Sequence, residues 1–144
     1  MGVISPKRRV ALPSKFRKEL GENPIVARWY EGCLVVVSKG NWKALLARLT
    51  GKVGIITQPV RDTDRFILGS AFEIDPDDQG RVVIPKSLSD YAGLKKEIIF
   101  LGLGDRVEIW NREAWEKRED YVAKYAADLI EKLGRNERKE GDEV

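Results

Sequence analysis

One stretch of this chain occurs twice. Arg9-Val10-Ala11-Leu12-Pro13-Ser14-Lys15-Phe16 lines up with Arg81-Val82-Val83-Ile84-Pro85-Lys86-Ser87-Leu88. Both copies reach a glycine at the same offset, Gly21 and Gly93. With one extra residue in the second copy, Ile25-Val26 then meets Ile98-Ile99, and Leu34-Val35-Val36-Val37 meets Val107-Glu108-Ile109-Trp110. Trp42 meets Trp115. An internal repeat constrains the fold more than any composition figure, because 144 residues must then hold two small supersecondary units.

Each copy reads as the same run of elements. A strand centred on Val10–Leu12 or Val82–Ile84 is favoured by its β-branched residues. Pro13 or Pro85 ends it and suits the first position of a short helix, where a missing N–H costs nothing. Gly21 or Gly93 ends that helix. Ile25–Trp29 with Leu34–Val37, and Ile98–Leu101 with Arg106–Trp110, form hairpins turning at Glu31-Gly32 and Gly104-Asp105. A second helix closes each copy. Trp42, Leu45, Leu46 and Leu49 share one helical face, and Trp115, Val122, Tyr125, Ala126, Leu129 and Leu133 continue such a face for longer. Asp120–Lys124 and Asp128–Lys132 are i,i+4 pairs that favour that helix. Between the copies, Gly51–Thr57 reads as a connector and Pro59 to Leu68 as a short helix.

The organisation expected is a first module over residues 1–50, a connector and helix over 51–70, a second module with a long terminal helix over 71–133, and a disordered tail over 134–144. A strand pair and helix of this size cannot bury a core alone, so each copy needs the other. The fold class expected is mainly β with short helices (α+β), as a β-barrel with pseudo-twofold symmetry.

Composition excludes several chemistries. The chain has no histidine and a single cysteine, Cys33. That rules out an internal disulfide, a Cys/His zinc site and a histidine-based nucleophilic triad. No apolar run approaches the roughly 20 residues of a membrane span. The opening Met-Gly-Val-Ile-Ser-Pro-Lys lacks the shape of a signal peptide, so the cytoplasm is the expected compartment. Net charge is only +3, but Lys7, Arg8, Arg9, Lys15, Arg17 and Lys18 stand against the single acid Glu19 before Leu20. That local excess fits a phosphate footprint and equally a solvated surface.

Two loops carry the candidate chemistry. Asp75-Pro76-Asp77-Asp78-Gln79-Gly80-Arg81 lies between strand-like runs. Aspartates that bond nearby N–H groups and a glycine free to take positive φ make a tight turn, from which Arg81 emerges. A guanidinium held this way suits bidentate contact with guanine or phosphate. Taken alone, the segment is also an ordinary hairpin with a surface arginine. A calcium loop fails because Lys86 stands at the twelfth position, where a bidentate glutamate is needed. Paired acids for general acid–base work have no accompanying nucleophile. In the first copy, Ser5-Pro6-Lys7-Arg8-Arg9 occupies the matching place with more positive charge. Trp29, Trp42, Trp110 and Trp115 read as packing residues, and Cys33 as a small hydrophobe.

The chain resembles the MraZ family, bacterial regulators with two AbrB-like modules. The residues that carry the likeness are Ile74-Asp75 through Pro85, Tyr91-Ala92-Gly93-Leu94, Gly104 to Trp110 and Trp115 in the second half. Arg65 to Ala71, Leu12 to Arg17 and Gly32-Cys33-Leu34 add to it. The resemblance implies a swapped-hairpin, double-split barrel and a ring-like homo-oligomer. It also implies binding to direct repeats in double-stranded DNA upstream of the division and cell-wall gene cluster. The family motif Asp-x-x-Gly-Arg places its arginine at the DNA. It carries over to Arg81, with Gln79 before the glycine, and in the first half to Arg9, with Lys7 before Arg8.

Two departures stand out. The first half lacks both the aspartate and the glycine, so a differently shaped loop is expected there, with Arg8 itself available to DNA. The family's leading strand is reduced to Gly2–Ser5, which predicts a weak outer edge. The reading is therefore a nucleoid-associated DNA-binding regulator, not an enzyme, with no metal and no cofactor. Its DNA-binding residues are Lys7, Arg8, Arg9, Gln79 and Arg81. The alternative is an AbrB-type antitoxin that binds a toxin, although such chains usually carry one repeat.

Overall fold

The computed structural model describes residues 1–50 and 57–142. The chain divides into two units, Met1–Arg112 and the segment from Glu113 onward. The first holds the first repeat and the second as far as Arg112, short of the helix that closes the second repeat. In chain order its elements are β1 (Gly2–Val3), β2 (Arg9–Ala11), α1 (Ser14–Leu20), β3 (Ile25–Arg28), β4 (Leu34–Val37), α2 (Lys39–Thr50), α3 (Gln58–Ile67), β5 (Phe72–Glu73), β6 (Arg81–Val83), α4 (Lys86–Tyr91), β7 (Glu97–Gly102) and β8 (Val107–Asn111). The mixed α+β class with short helices is as expected, and every strand pairing is antiparallel.

Six strands form one sheet in the order β1-β7-β8-β4-β3-β5, and β2 with β6 forms a separate ribbon. The order is open, so the described strands do not close into the barrel expected from the sequence. Strands of one repeat pair with strands of the other at four places, two of them symmetric. In the ribbon Val10 pairs with Val82, and at the middle of the sheet Val35 pairs with Glu108. Each pair joins a residue to its own repeat equivalent, which is the mark of a local twofold axis. The sheet interior is therefore assembled between the repeats, as the small size of each copy requires.

Alternation decides which face is core. Val26, Leu34, Val36, Ile98 and Ile109 of the sheet meet Val10, Leu12, Val82 and Ile84 of the ribbon in one buried cluster. Phe16 of α1 and Leu88 of α4 close it. Pro13 and Pro85 stand just before these helices, at the cap and not at the first helical position expected. Their carbonyls accept the N–H of Phe16 (2.9 Å) and Leu88 (3.1 Å). Gly21 (φ 68°) and Gly93 (φ 58°) supply the left-handed residues that the sequence predicts beyond each helix.

The leading strand β1 has two residues and pairs with Ile98 and Glu97, with Ile4 N–H donating to Lys96 O at 3.0 Å. Its counterpart β5 is equally short, and Ile74 N–H donates to Pro24 O at 2.9 Å. A brief outer strand is thus common to both halves. The helix between the repeats is fixed by Arg28. Its Nε donates to Phe66 O (2.9 Å) and its guanidinium lies 4.7 Å from the Phe66 ring centre. The connector predicted at Gly51–Thr57 lies, apart from Thr57, outside the described residues.

Trp29 and Trp110 are buried. Trp110 Nε1 donates to the buried Glu108 carboxylate at 2.9 Å. Cys33 is fully buried, and burial pushes its thiol well above the ordinary range, helped by the nearby Glu108 and Glu31 charges. We expect Cys33 to resist alkylation in the native chain and to react once denaturant is added. Rapid labelling of the folded protein, followed by mass spectrometry, would contradict this packing.

The second unit is the helix α5, which spans Arg112–Asp142 and so passes the Leu133 boundary drawn from sequence. Along it, the Tyr121 and Tyr125 rings meet at a tilt, 4.9 Å between centres, and Glu131 pairs with Arg135 at 2.7 Å. Among the described residues no helix is long and apolar enough to cross a membrane.

Candidate nucleic-acid interface

The ribbon positions the two candidate arginines. Along β2, Arg9 and Ala11 are exposed and Val10 is buried; along β6, Arg81 and Val83 are exposed and Val82 is buried. The register sets Arg9 opposite Val83 and Ala11 opposite Arg81. Both arginines therefore stand on one exposed face, as diagonal neighbours of a kind usually about 7–8 Å apart. Lys7, Arg9, Ala11 and Arg81 line a surface groove of about 540 Å³ on this side. Sequence alone paired the arginines as equivalents. The register is what makes them adjacent.

The loop before Arg81 is held by one carboxylate. Asp77 Oδ1 accepts the N–H of Gln79 and of Arg81, both at 2.9 Å, and Oδ2 accepts Arg81 Nε at 2.8 Å. Asp77 N–H donates to Arg81 O at 3.0 Å, and Gly80 N–H to Asp77 O at 2.8 Å. Gly80 takes φ 75°. Arg81 is thereby anchored through Nε, and both terminal nitrogens remain for a bidentate acceptor.

The first loop has the same shape, which corrects the expectation of a different one. Ser5 N–H donates to Arg9 O at 3.0 Å, and Arg8 N–H to Ser5 O at 2.9 Å. Ser5 Oγ accepts Arg9 N–H at 3.1 Å, doing with a hydroxyl what Asp77 does with a carboxylate. Arg8 takes φ 60°, the left-handed conformation that Gly80 holds in the second loop. That conformation costs a non-glycine residue about 1–2 kcal/mol. A hydrogen bond from Arg8 Nε to Ile84 O at 3.0 Å offsets part of the cost.

The chemistry of the loops differs where their shapes agree. Ser5 has no second oxygen to hold Arg9. Among the described residues the Arg9 guanidinium has no protein partner, whereas Arg81 has Asp77. Lys7 and Gln79 occupy equivalent exposed places. All five sequence-predicted residues thus flank or cover one ribbon, with Arg8 half-buried among them. The reading missed Ser5. Its signal was available: Ser5 stands four residues before Arg9, as Asp77 stands four before Arg81.

The hydrogen bond from the Arg81 backbone N–H, first, holds the Asp77 carboxyl below the ordinary aspartate range; desolvation opposes it, and the Arg81 side chain and the Gln79 N–H add to the lowering. A depressed folded-state value means that the stabilisation is present above the unfolded value and is lost as pH falls through the folded one. We therefore expect the turn to stay intact until the pH drops below the usual aspartate range. A carboxyl-carbon NMR titration in which Asp77 protonates at or above that range would overturn this. Both Asp77 oxygens serve the loop itself, and among the described residues no cluster of metal-ligating side chains occurs.

Comparison with known proteins agrees with these features. A family model described as "MraZ protein, putative antitoxin-like" matches residues 67–136. A transcriptional regulator MraZ from Clostridium acetobutylicum is 42% identical over 112 residues, covering 78% of either chain. The same-named protein of Clostridium tetani is 37% identical over 133 residues, covering 91% of this chain and 93% of the relative. That of Caldicellulosiruptor saccharolyticus is 38% identical over 135 residues, 92% and 94% of the two chains.

Proposed function

Because the chain belongs to the MraZ family, we propose that it is a non-enzymatic, sequence-specific DNA-binding transcriptional regulator that docks its β2–β6 face on the duplex. Lys7, Arg9, Gln79 and Arg81 make the contacts, and Arg8 adds a half-buried guanidinium to the footprint. The observation that carries this reading is the register that brings Arg9 and Arg81 onto one exposed face. A two-stranded ribbon fits the major groove, where arginine reads guanine through O6 and N7.

The finer reading rests on the family resemblance. Residues 1–50 and 71–133 act as two AbrB-like modules in a swapped-hairpin, double-split arrangement, which the cross-repeat pairing of β2 with β6 favours. The chain works in the cytoplasm, on the nucleoid, as a ring-like homo-oligomer. Its targets are direct repeats upstream of the division and cell-wall genes.

The test is a binding titration on the DNA immediately upstream of its own coding sequence. Three or four phosphate contacts per chain predict a log–log salt slope of about −2.7 to −3.6 per chain, from roughly −0.9 per contact. Affinity that ignores salt, or that is equal for a shuffled duplex, would remove the proposal. Co-purification with a small toxin, without DNA binding, would put the antitoxin reading in its place.

A further inference from the structure

Each loop is braced by an arginine side chain, and the two braces come from different places in the repeat. In the second loop, Leu12 N–H donates to Gly80 O at 2.9 Å. Arg17, on α1, donates its Nε to Leu12 O at 2.8 Å. Its guanidinium fills the space beside Gly80, where an added Cβ would stand 2.1 Å from Arg17 Nε. In the first loop, Ile84 N–H donates to Arg8 O at 2.8 Å, and Arg8 donates its own Nε to Ile84 O at 3.0 Å. Leu12 and Ile84 are repeat equivalents, as are Arg8 and Gly80. The repeat equivalent of Arg17 is Ser89, which is buried. Arg8 and Ser89 line the same groove.

We propose that Arg8 and Arg17 are the same structural part, a guanidinium brace on the strand carbonyl that fixes each DNA-facing loop, supplied by the loop in one half and by the helix in the other. Where the loop residue is glycine, the helix supplies an arginine; where the loop residue is arginine, the helix position shrinks to serine. Arg8 is then a positioning residue for Arg9, and Arg17 one for Arg81. This explains how Arg8 tolerates a left-handed backbone: its side chain takes the place that a helix arginine would otherwise fill. The assignment to DNA positioning rests on the function proposed above. The brace itself does not.

The experiment exchanges the parts. Gly80→Arg alone forces two guanidinium groups into one place, and Arg17→Ser alone removes the brace. Each single variant should lower the thermal midpoint and weaken binding by about tenfold, the effect of losing one charge-assisted hydrogen bond. The double variant, Gly80→Arg with Arg17→Ser, should recover most of both. The reciprocal pair, Arg8→Gly with Ser89→Arg, repeats the test in the other half should the first pair fail to fold. Binding is read on a duplex enriched by the wild-type chain from a random-sequence pool, below the thermal midpoint of every variant. Recovery of stability and affinity together supports the proposal. Additive losses in stability overturn the brace. Recovered stability with affinity still lost overturns its positioning role. If the wild-type chain enriches no duplex, the DNA reading fails, while the stability cycle still decides whether the brace exists.

Discussion

Replacing Arg9 and Arg81 together with alanine should weaken binding to a cognate duplex by between about thirtyfold and twenty-thousandfold, since each bidentate arginine contact is worth about 1–3 kcal/mol. The chain should stay folded. Both side chains are exposed, and the solvent-screened Arg81–Asp77 ion pair, half-exposed at 43% and 40%, adds little to stability. The single variants should not be equal. Asp77 already holds Arg81, so its contact needs little ordering. Arg9 has no such partner, and fixing it costs about 0.5–1.5 kcal/mol at the moment of binding. Arg81→Ala should therefore cost more affinity than Arg9→Ala. Arg81→Lys should recover the salt dependence but not the sequence preference, because an ammonium cannot make the two-pronged contact. A double alanine variant that binds like wild type, with an unchanged thermal midpoint, would remove the ribbon face from the mechanism.

The largest loss of stability should come from Ile109→Ala. Ile109 is fully buried and sits on β8 between Phe100 of β7 and Leu34 of β4. Truncating it opens a cavity at the seam where the repeats meet, and such a change costs about 2–5 kcal/mol. The seam joins both halves, so the two should lose structure together in one transition. Chemical denaturation followed by tryptophan emission checks this, because Trp29 belongs to the first repeat and Trp110 to the second. A loss below 1 kcal/mol, or two separated transitions, would contradict a core built jointly.

Much of this arrangement was legible in the residues, because the signals are local. β-branched runs such as Leu34–Val37, the stops at Pro13 and Pro85, and the glycines Gly21 and Gly93 each fix their own surroundings. The repeat itself needed no structure. What escaped was non-local. Nothing near Arg9 says that Val83 stands opposite it, since the two lie on strands far apart in sequence. Arg8 read as a misfit in a glycine position because the Ile84 carbonyl that compensates it lies 76 residues away. The closed barrel was inferred from symmetry and resemblance, and symmetry does not determine whether the outer strands β1 and β5 meet. The candidate residues were found through their types and spacing. That the two loops differ was legible in the missing aspartate and glycine; that Asp77 holds Arg81 while Ser5 leaves the Arg9 guanidinium unheld needed the atoms.

Val10 pairs with Val82, its own repeat equivalent, across the local twofold axis. Two identical subunits crossing at such an axis would have to accept every substitution at both crossing loops at once. A change that improved one loop would be imposed on the other. With the two halves joined in a single chain, each loop is inherited separately. One has kept glycine and aspartate while the other holds arginine and serine in the same backbone. Fusion of the halves thus frees the two sides of a symmetric scaffold to carry different loop chemistry.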